Sequence, residues 1–336
     1  MDNFIVVALD FLPEDQLSWW GNYAQPRGIT FKAPLSDNID DLKSLLLSAD
    51  AIIVQKRELT KDLLDSAPKA KFVQKMGRLL NKIDGSAVKA RNIPMAYLPL
   101  AGCSAVAEHT IALMLACAKK IVVGHEMTVE GSYRDLGVEP KVTTERSHGF
   151  QWMKIPGLEE LNGLTLGIYG YGEIGNEVAR RMKAFNMEII YNKRTALSDE
   201  DENSLGIRYA DKDSLFREAD FIVCHSPLTA ETENSIGKEE FKKMKKTAFL
   251  INVARGGVIN ELELVDALNN NEFAGAGLDV FVEEPIPYDH PYLSLENVTL
   301  SPHIAGGKGG AKVRHTEAVL DNIKKFAYGE APDFLA

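Results

Sequence analysis

The sequence predicts an α/β fold built on parallel sheets, and three observations carry that prediction. Short runs made almost wholly of apolar residues recur along the chain, as in Ala51–Val54, Phe221–Cys224 and Ala248–Val253. Segments with helical apolar spacing separate many of them, as in Ile39–Leu47 and Leu59–Ala67. A glycine-rich turn joins one such run, Leu164–Tyr169, directly to a helical stretch, Asn176–Phe185. Strands that lack inside–outside alternation are buried on both faces, the condition of a parallel sheet covered by helices.

The elements follow in order. Ile5–Leu9 reads as a buried strand, Ile39–Leu47 as a helix and Ala51–Val54 as a strand. Leu59–Ala67 is helical and Ala70–Gln74 extended, and Val88–Asn92 with Ile93–Tyr97 repeats the alternation. A long helix begins near Ser104, its expected cap, and runs past Lys120, with Val106, Ile111, Leu115 and Ala118 sharing much of one face. That face suits a core helix, a domain crossover or an oligomer interface. Thr128–Pro156 mixes Gly, Pro, charges and aromatics and reads as a surface excursion, with Phe150 and Trp152 either anchoring it or facing a ligand. Further strands are expected at Glu188–Tyr191, Gly275–Val280 and Val298–Leu300, with Asn203–Phe216 and Glu261–Leu268 as helices or turns.

Composition narrows the function classes. The 336 residues allow one large domain or two ordinary ones, and 45% apolar content excludes global disorder. A net charge of −10 argues against a broad nucleic-acid surface while leaving room for a local basic pocket. Cys103, Cys117 and Cys224 form no disulfide or metal framework and are compatible with a reducing compartment. The central apolar run Ile111–Ala118 is too short to span a bilayer, and Met1-Asp2-Asn3 begins no signal-peptide pattern. The expectation is a cytoplasmic enzyme without membrane or nucleic-acid partners and without a metal.

Gly170, Gly172 and Gly175 have the G-x-G-x-x-G spacing between strand and helix. Such glycines permit a tight turn, let backbone approach a pyrophosphate, and let the helix pack on the strand. An acid about 20 residues further on ordinarily holds the NAD ribose. Here the next strand ends in Tyr191-Asn192-Lys193-Arg194-Thr195, with two cations in place of the acid. Lys193 and Arg194 match a 2′-phosphate, so NADP is the expected cofactor. The alternative is a solvated pair beside an NAD site.

Three further segments follow predicted strands: Asn252-Val253-Ala254-Arg255-Gly256-Gly257, Asp279-Val280-Phe281-Val282-Glu283-Glu284-Pro285, and Ser301-Pro302-His303-Ile304-Ala305-Gly306-Gly307. Together with Ala107-Glu108-His109, the glycine fingerprint and His225-Ser226-Pro227-Leu228-Thr229, this ordered set resembles the D-isomer-specific 2-hydroxyacid dehydrogenase family over nearly the whole chain. The resemblance implies a nucleotide domain of the Rossmann type, residues 126–305, inserted in a flavodoxin-like substrate domain of residues 1–125 and 306–336, both doubly wound. It implies a cleft site and a homodimer through the region of Ser104–Ile121.

It also implies roles. Arg255 would hold the substrate carboxylate and its 2-oxo oxygen, His303 would exchange the proton, and Glu284 rather than Glu283 would orient His303 and stabilise the imidazolium. The cofactor would meet Tyr171, Gly172, Glu173, Ile174, Asn192, Lys193, Arg194, Thr195, His225, Ser226, Pro227, Thr232, Val253, Ala254, Asp279, His303 and Gly306. His225 is placed with the cofactor rather than with proton transfer. His109 would support its helix or the domain junction, and His148 and His315 have no comparable context.

The segment Lys75-Met76-Gly77-Arg78-Leu79-Leu80-Asn81-Lys82-Ile83-Asp84 resembles the family's substrate loop. Lys75, Gly77, Arg78 and Leu79 are the substrate-binding candidates. Leu79 replaces a common second glycine, and Arg78, with Lys75 reinforcing its field, would face a second anionic group on the substrate or would be solvated. The expected reaction is reversible reduction of a small 2-oxo acid by NAD(P)H. A phosphite-type dehydrogenase and a nucleotide-sensing scaffold without turnover are the alternatives.

Overall fold

The computed structural model describes residues 4–80, 82–144, 149–307 and 310–336. Asn81 and His148 lie outside them. The chain divides into two compact units, Met1–Ser104 with Lys308–Ala336, and Ala105–Gly307. Residues 105–125, expected with the first piece, group with the second unit.

The first unit is a five-stranded parallel sheet. Its elements are β1 (Phe4–Ala8), α1 (Glu14–Ala24), β2 (Ile29–Lys32), α2 (Ile39–Leu46), β3 (Ala51–Val54), α3 (Lys61–Asp65), β4 (Phe72–Met76), α4 (Gly85–Ala90) and β5 (Met95–Leu98). The strand order is β2-β1-β3-β4-β5, every pairing parallel. This is the flavodoxin-like order, with its reversal between β1 and β3. Alternate strand residues feed opposite cores. Val6, Ala8, Ala51 and Ile53 pack with Trp20 of α1, while Val7, Leu9, Ile52 and Val54 pack with Leu42, Leu46 and Leu63. Both faces are covered, so these strands read as unbroken apolar runs. The Asn38 side chain caps α2 by accepting from the Asp40 N–H at 2.9 Å.

The second unit opens with α5 (Cys103–Ala118) and α6 (Ile121–Glu130). Two expectations are corrected here. Ser104 lies inside the first turn of α5 rather than capping it, and the single helix expected past Lys120 is two, separated where Lys120 turns left-handed at φ +50°. The unit continues with β6 (Thr165–Tyr169), α7 (Glu173–Met182), β7 (Glu188–Asn192), α8 (Asp199–Leu205), β8 (Arg208–Tyr209), α9 (Lys212–Glu218) and β9 (Phe221–Cys224). It closes with α10 (Lys238–Phe241), β10 (Phe249–Asn252), α11 (Glu261–Asn269), β11 (Gly275–Leu278) and β12 (Val298–Leu300). Its parallel strands run β12-β11-β10-β9-β6-β7-β8, the Rossmann order extended by one edge strand, and the order reverses between β6 and β9.

The last helix, α12 (Ala311–Ala327), belongs to the first unit, burying Val319, Leu320 and Ile323 in the core that holds Trp20. Asn322 on α12 donates to the buried Gln74 side chain at 2.7 Å, which ties the helix to β4. Beyond α12 the chain lies along β5: the Tyr97 N–H donates to the Phe334 carbonyl at 3.0 Å, and the Ala336 N–H to the Met95 carbonyl at 2.8 Å. Among the described residues no helix is long and apolar enough to cross a membrane.

Candidate active site

Ligands of open parallel sheets bind beyond the carboxyl ends of the strands, at the point where strand order reverses. In the second unit that point joins the glycine turn after β6 to the His225 turn after β9. A cavity of about 560 Å³ lies there. Of the expected cofactor residues, Tyr171, Gly172, Asn192, Lys193, Arg194, His225, Ser226, Pro227 and Thr232 line it. Gly170 also lines it, and so do Tyr169, Tyr209, Thr229 and Glu231, which were not among the expected cofactor contacts.

The three glycines divide the work expected of them. Gly170 sits at φ +97°, and a Cβ there would meet the Ser226 nitrogen at 2.4 Å, so the two turns touch only because it has no side chain. A Cβ on Gly175 would meet Ile168 at 3.0 Å, which marks the close approach of α7 to β6. A Cβ on Gly172 would meet nothing within 4 Å and would enter open space. Gly172 also precedes α7 without a side-chain cap, so the positive end of the helix dipole faces the cavity. The turn is pinned from β7, where the Asn192 carbonyl accepts from Gly170 at 3.0 Å and Tyr171 at 3.1 Å.

His225 is the telling group on this wall. The residue is half-buried, its two ring nitrogens are enclosed, and neither has a hydrogen-bond partner among the described residues. Burial pushes it down to about 3, so it is neutral at physiological pH and suits recognition, not proton donation. Enclosed, unpartnered ring nitrogens and a glycine opening before an uncapped helix N-terminus fit a dinucleotide. Arg194 pairs with Glu231, both well exposed, and Tyr171 turns its ring inward, its hydroxyl accepting from Asn176 and pushed up to about 12 by burial. Glu173, Ile174, Thr195, Val253, Ala254 and Gly306 stand outside this cavity's lining.

The three other strand-end turns converge. His303 Nδ1 lies 2.5 Å from Glu284 Oε2. The other carboxylate oxygen of Glu284 accepts from the Phe281 N–H at 3.0 Å. The Glu284 carboxyl is held below its ordinary value, first by the His303 hydrogen bond, then by the Phe281 N–H, with the charges of His303 and Arg255 adding to it. Arg255 is exposed. Its turn lies against the Glu284 turn because Gly256 lacks a side chain: a Cβ there would fall 2.0 Å from the Phe281 carbonyl carbon. Buried Asn252 fixes the Arg255 turn, donating to the Arg255 carbonyl at 3.0 Å and accepting from the Ala254 N–H at 3.1 Å.

Asp279, expected at the cofactor, is fully buried and its carboxylate is enclosed by the His303 turn. It accepts from Ser301 Oγ at 2.6 Å and from the N–H groups of Ile304 and Ala305 at 3.0 and 2.9 Å. Sequence reasoning overlooked Asn252, Ser301 and His109 as parts of this machinery. The available signal was a polar residue ending an otherwise apolar strand, as Asn252 does, and for His109 there was none.

The substrate-loop residues lie in the first unit, after β4. Gly77 takes φ +111° and donates its N–H to the Leu98 carbonyl at 2.6 Å. The Arg78 guanidinium stacks 5.5 Å from the Tyr97 ring and 5.8 Å from the Phe334 ring. Lys75 is buried, and its ammonium donates to the carbonyls of Met76 at 2.5 Å and Gln55 at 3.4 Å. Among the described residues, no group of three or more His, Cys, Asp or Glu is placed to hold a metal ion.

Comparison with known proteins decides the family. The profile described as D-isomer specific 2-hydroxyacid dehydrogenase, NAD binding domain, matches residues 111–305, more than half of the chain. The chain belongs to the D-isomer specific 2-hydroxyacid dehydrogenase family. A glyoxylate reductase of Thermococcus litoralis is 36% identical over 314 residues, 94% of this chain and 88% of the relative. Among solved structures, the PH0520 protein from Pyrococcus horikoshii OT3 is similar with a TM-score of 0.58 and 26% identity, covering 99% of this chain and 94% of that one. An acyclic imino acid reductase in complex with NADPH and D-Arg is similar with a TM-score of 0.54 and 26% identity, covering 99% of both. As a 2-hydroxyacid dehydrogenase, the protein is an NAD(P)-dependent oxidoreductase of small 2-oxo and 2-hydroxy acids.

Proposed function

We propose that the enzyme reduces a small 2-oxo acid to the D-2-hydroxy acid with NADPH in preference to NADH, using Arg255, Glu284 and His303. The observation that carries the reading is the 2.5 Å contact of His303 Nδ1 with Glu284. It engages one ring nitrogen and leaves Nε2 for the substrate oxygen. Bound nicotinamide supplies the hydride for reduction or takes it up for oxidation. Arg255 holds the carboxylate and the 2-oxo oxygen through its planar fork. His303 donates a proton to the developing alkoxide and accepts it in the reverse direction. Glu284 keeps the imidazole oriented.

NADPH preference rests on Lys193 and Arg194 in the cavity wall, where the usual ribose-binding acid is missing. The imino acid reductase with its NADPH supports it by likeness. Gly77, Arg78 and Leu79 bind the substrate acid, and Lys75 contributes charge behind the loop. The homodimer forms through the region of Ser104–Ile121, where Val106, Ile111 and Leu115 on α5 are half-exposed and Ile121 and Val122 just beyond it are exposed. We place the enzyme in the cytoplasm.

The test is a panel of glyoxylate, hydroxypyruvate, doubly anionic 2-oxo acids and phosphite, each with both nicotinamides at equal concentration. Glyoxylate is the first substrate because the archaeal relative is a glyoxylate reductase. The expected result is 2-oxo acid reduction, faster with NADPH, with a lower KM for doubly anionic acids. A strong NADH preference contradicts the cofactor assignment, turnover of phosphite alone contradicts the substrate class, and binding without turnover favours a nucleotide-sensing scaffold.

A further inference from the structure

We propose that His109, on α5, is a positioning residue for His303, acting through Ser301 and Asp279. The proposal rests on His303 as the proton-exchanging group. His303 holds a left-handed backbone, φ +52°, a region disfavoured for any residue with a Cβ. Something must impose it.

What imposes it is a buried carboxylate. The His303 N–H donates to the Asp279 carbonyl at 2.8 Å. The next two N–H groups, Ile304 and Ala305, donate to opposite oxygens of the Asp279 carboxylate at 3.0 and 2.9 Å. Ser301 Oγ closes the ring by donating to Oδ1 at 2.6 Å. The turn that carries His303 is therefore wrapped around one anion with no solvent exposure.

His109 stands behind that ring. Its Nε2 lies 2.9 Å from Ser301 Oγ and 3.2 Å from Asp279 Oδ1. The hydrogen count fixes the direction. A carboxylate only accepts, and Ser301 has one hydroxyl proton, which goes to Asp279. Nε2 therefore carries a hydrogen and donates to Ser301. Without it Ser301 is free to rotate, Asp279 loses a donor it cannot replace from water, and the left-handed turn loses its template. Proton transfer requires heavy atoms about 2.6–3.2 Å apart, so a small drift of His303 costs rate.

The test compares His109→Ala with His109→Gln, whose side-chain amide N–H occupies the place of Nε2–H. The expected result for His109→Ala is a kcat about 10–100-fold lower at saturating substrate and NADPH. Its solvent isotope effect should be larger, and its NADPH Kd should stay within about twofold of the parent. His109→Gln should recover most of the rate. Wild-type kcat and isotope effect in His109→Ala, with only a lower Tm, would make the residue a helix support and overturn the proposal. So would equal loss in both variants. If His109→Ala does not fold, Ser301→Ala is read by the same criteria for kcat, isotope effect and Kd. His303→Ala separates the two readings: an inactive His303→Ala beside a wild-type-rate His109→Ala defeats this inference alone, and an active His303→Ala removes both.

Discussion

At the residue scale, Glu284 links an ionisation to the proposed proton exchange at His303. Its carboxyl titrates below the ordinary value of 4.5, chiefly because His303 hydrogen-bonds to it. A group whose folded value is depressed contributes stability that is complete above its unfolded value and is lost as pH falls through the folded one. Comparing Tm for the parent and Glu284→Gln across acid pH should therefore show a gap that is constant above about pH 5 and shrinks below about pH 4. A gap that grows on acidification would mean that Glu284 is not held as a carboxylate by His303. The three turns that carry Arg255, Glu284 and His303 were legible in the sequence because each is a motif of its own. Their supports were not. Asp279 looked like one more cofactor contact, and only the folded chain shows its two oxygens taken by Ser301, Ile304 and Ala305. Hydrogen-bond partners 22 to 26 residues apart, or 192 apart for His109 and Ser301, leave no local pattern to read.

At the scale of elements, strands buried on both faces announced themselves, and two of the four edge strands did not. β2 alternates buried and half-buried residues at an edge of the first sheet, and β8 is two exposed residues at an edge of the second, so neither forms an apolar run. The stretch read as one helix or turn, Asn203–Phe216, is α8 and α9 with β8 between them, because Gly206 ends α8 in a left-handed cap. The glycine turns, by contrast, were read correctly in kind, and their distinct tasks predict distinct failures. Gly256→Ala drives a methyl into the Phe281 backbone and should cost about 1–3 kcal/mol, lowering Tm and raising the KM of the 2-oxo acid as the Arg255 turn shifts. Gly172→Ala adds a methyl to open space, so Tm should hold while the NADPH Kd rises about tenfold. Thermal melts and cofactor titration of the two variants check this. A Gly172→Ala enzyme with unchanged NADPH affinity would mean that the cofactor does not approach that backbone.

At the scale of the whole molecule, two doubly wound units arise from one chain because α12 returns to the sheet begun by β1. That return, and the strand orders that create a reversal point in each sheet, follow from family resemblance more than from composition: the glycine-rich run Gly306-Gly307-Lys308-Gly309-Gly310 marks one crossing in the sequence, but the other, at Ser104, falls within an apolar helical stretch. The first unit contributes a loop carrying Gly77, Arg78 and Leu79, and the second a nucleotide cavity and three converging strand-end turns. In the proposed mechanism those turns serve hydride transfer, with His303 exchanging the proton. The decisive measurement is kcat of His303→Ala against the parent enzyme, with saturating NADPH and the best 2-oxo acid of the panel, alongside NADPH affinity. The expected result is a loss of about 10²–10⁴-fold with NADPH binding retained. Hydride transfer at the parental rate would contradict it.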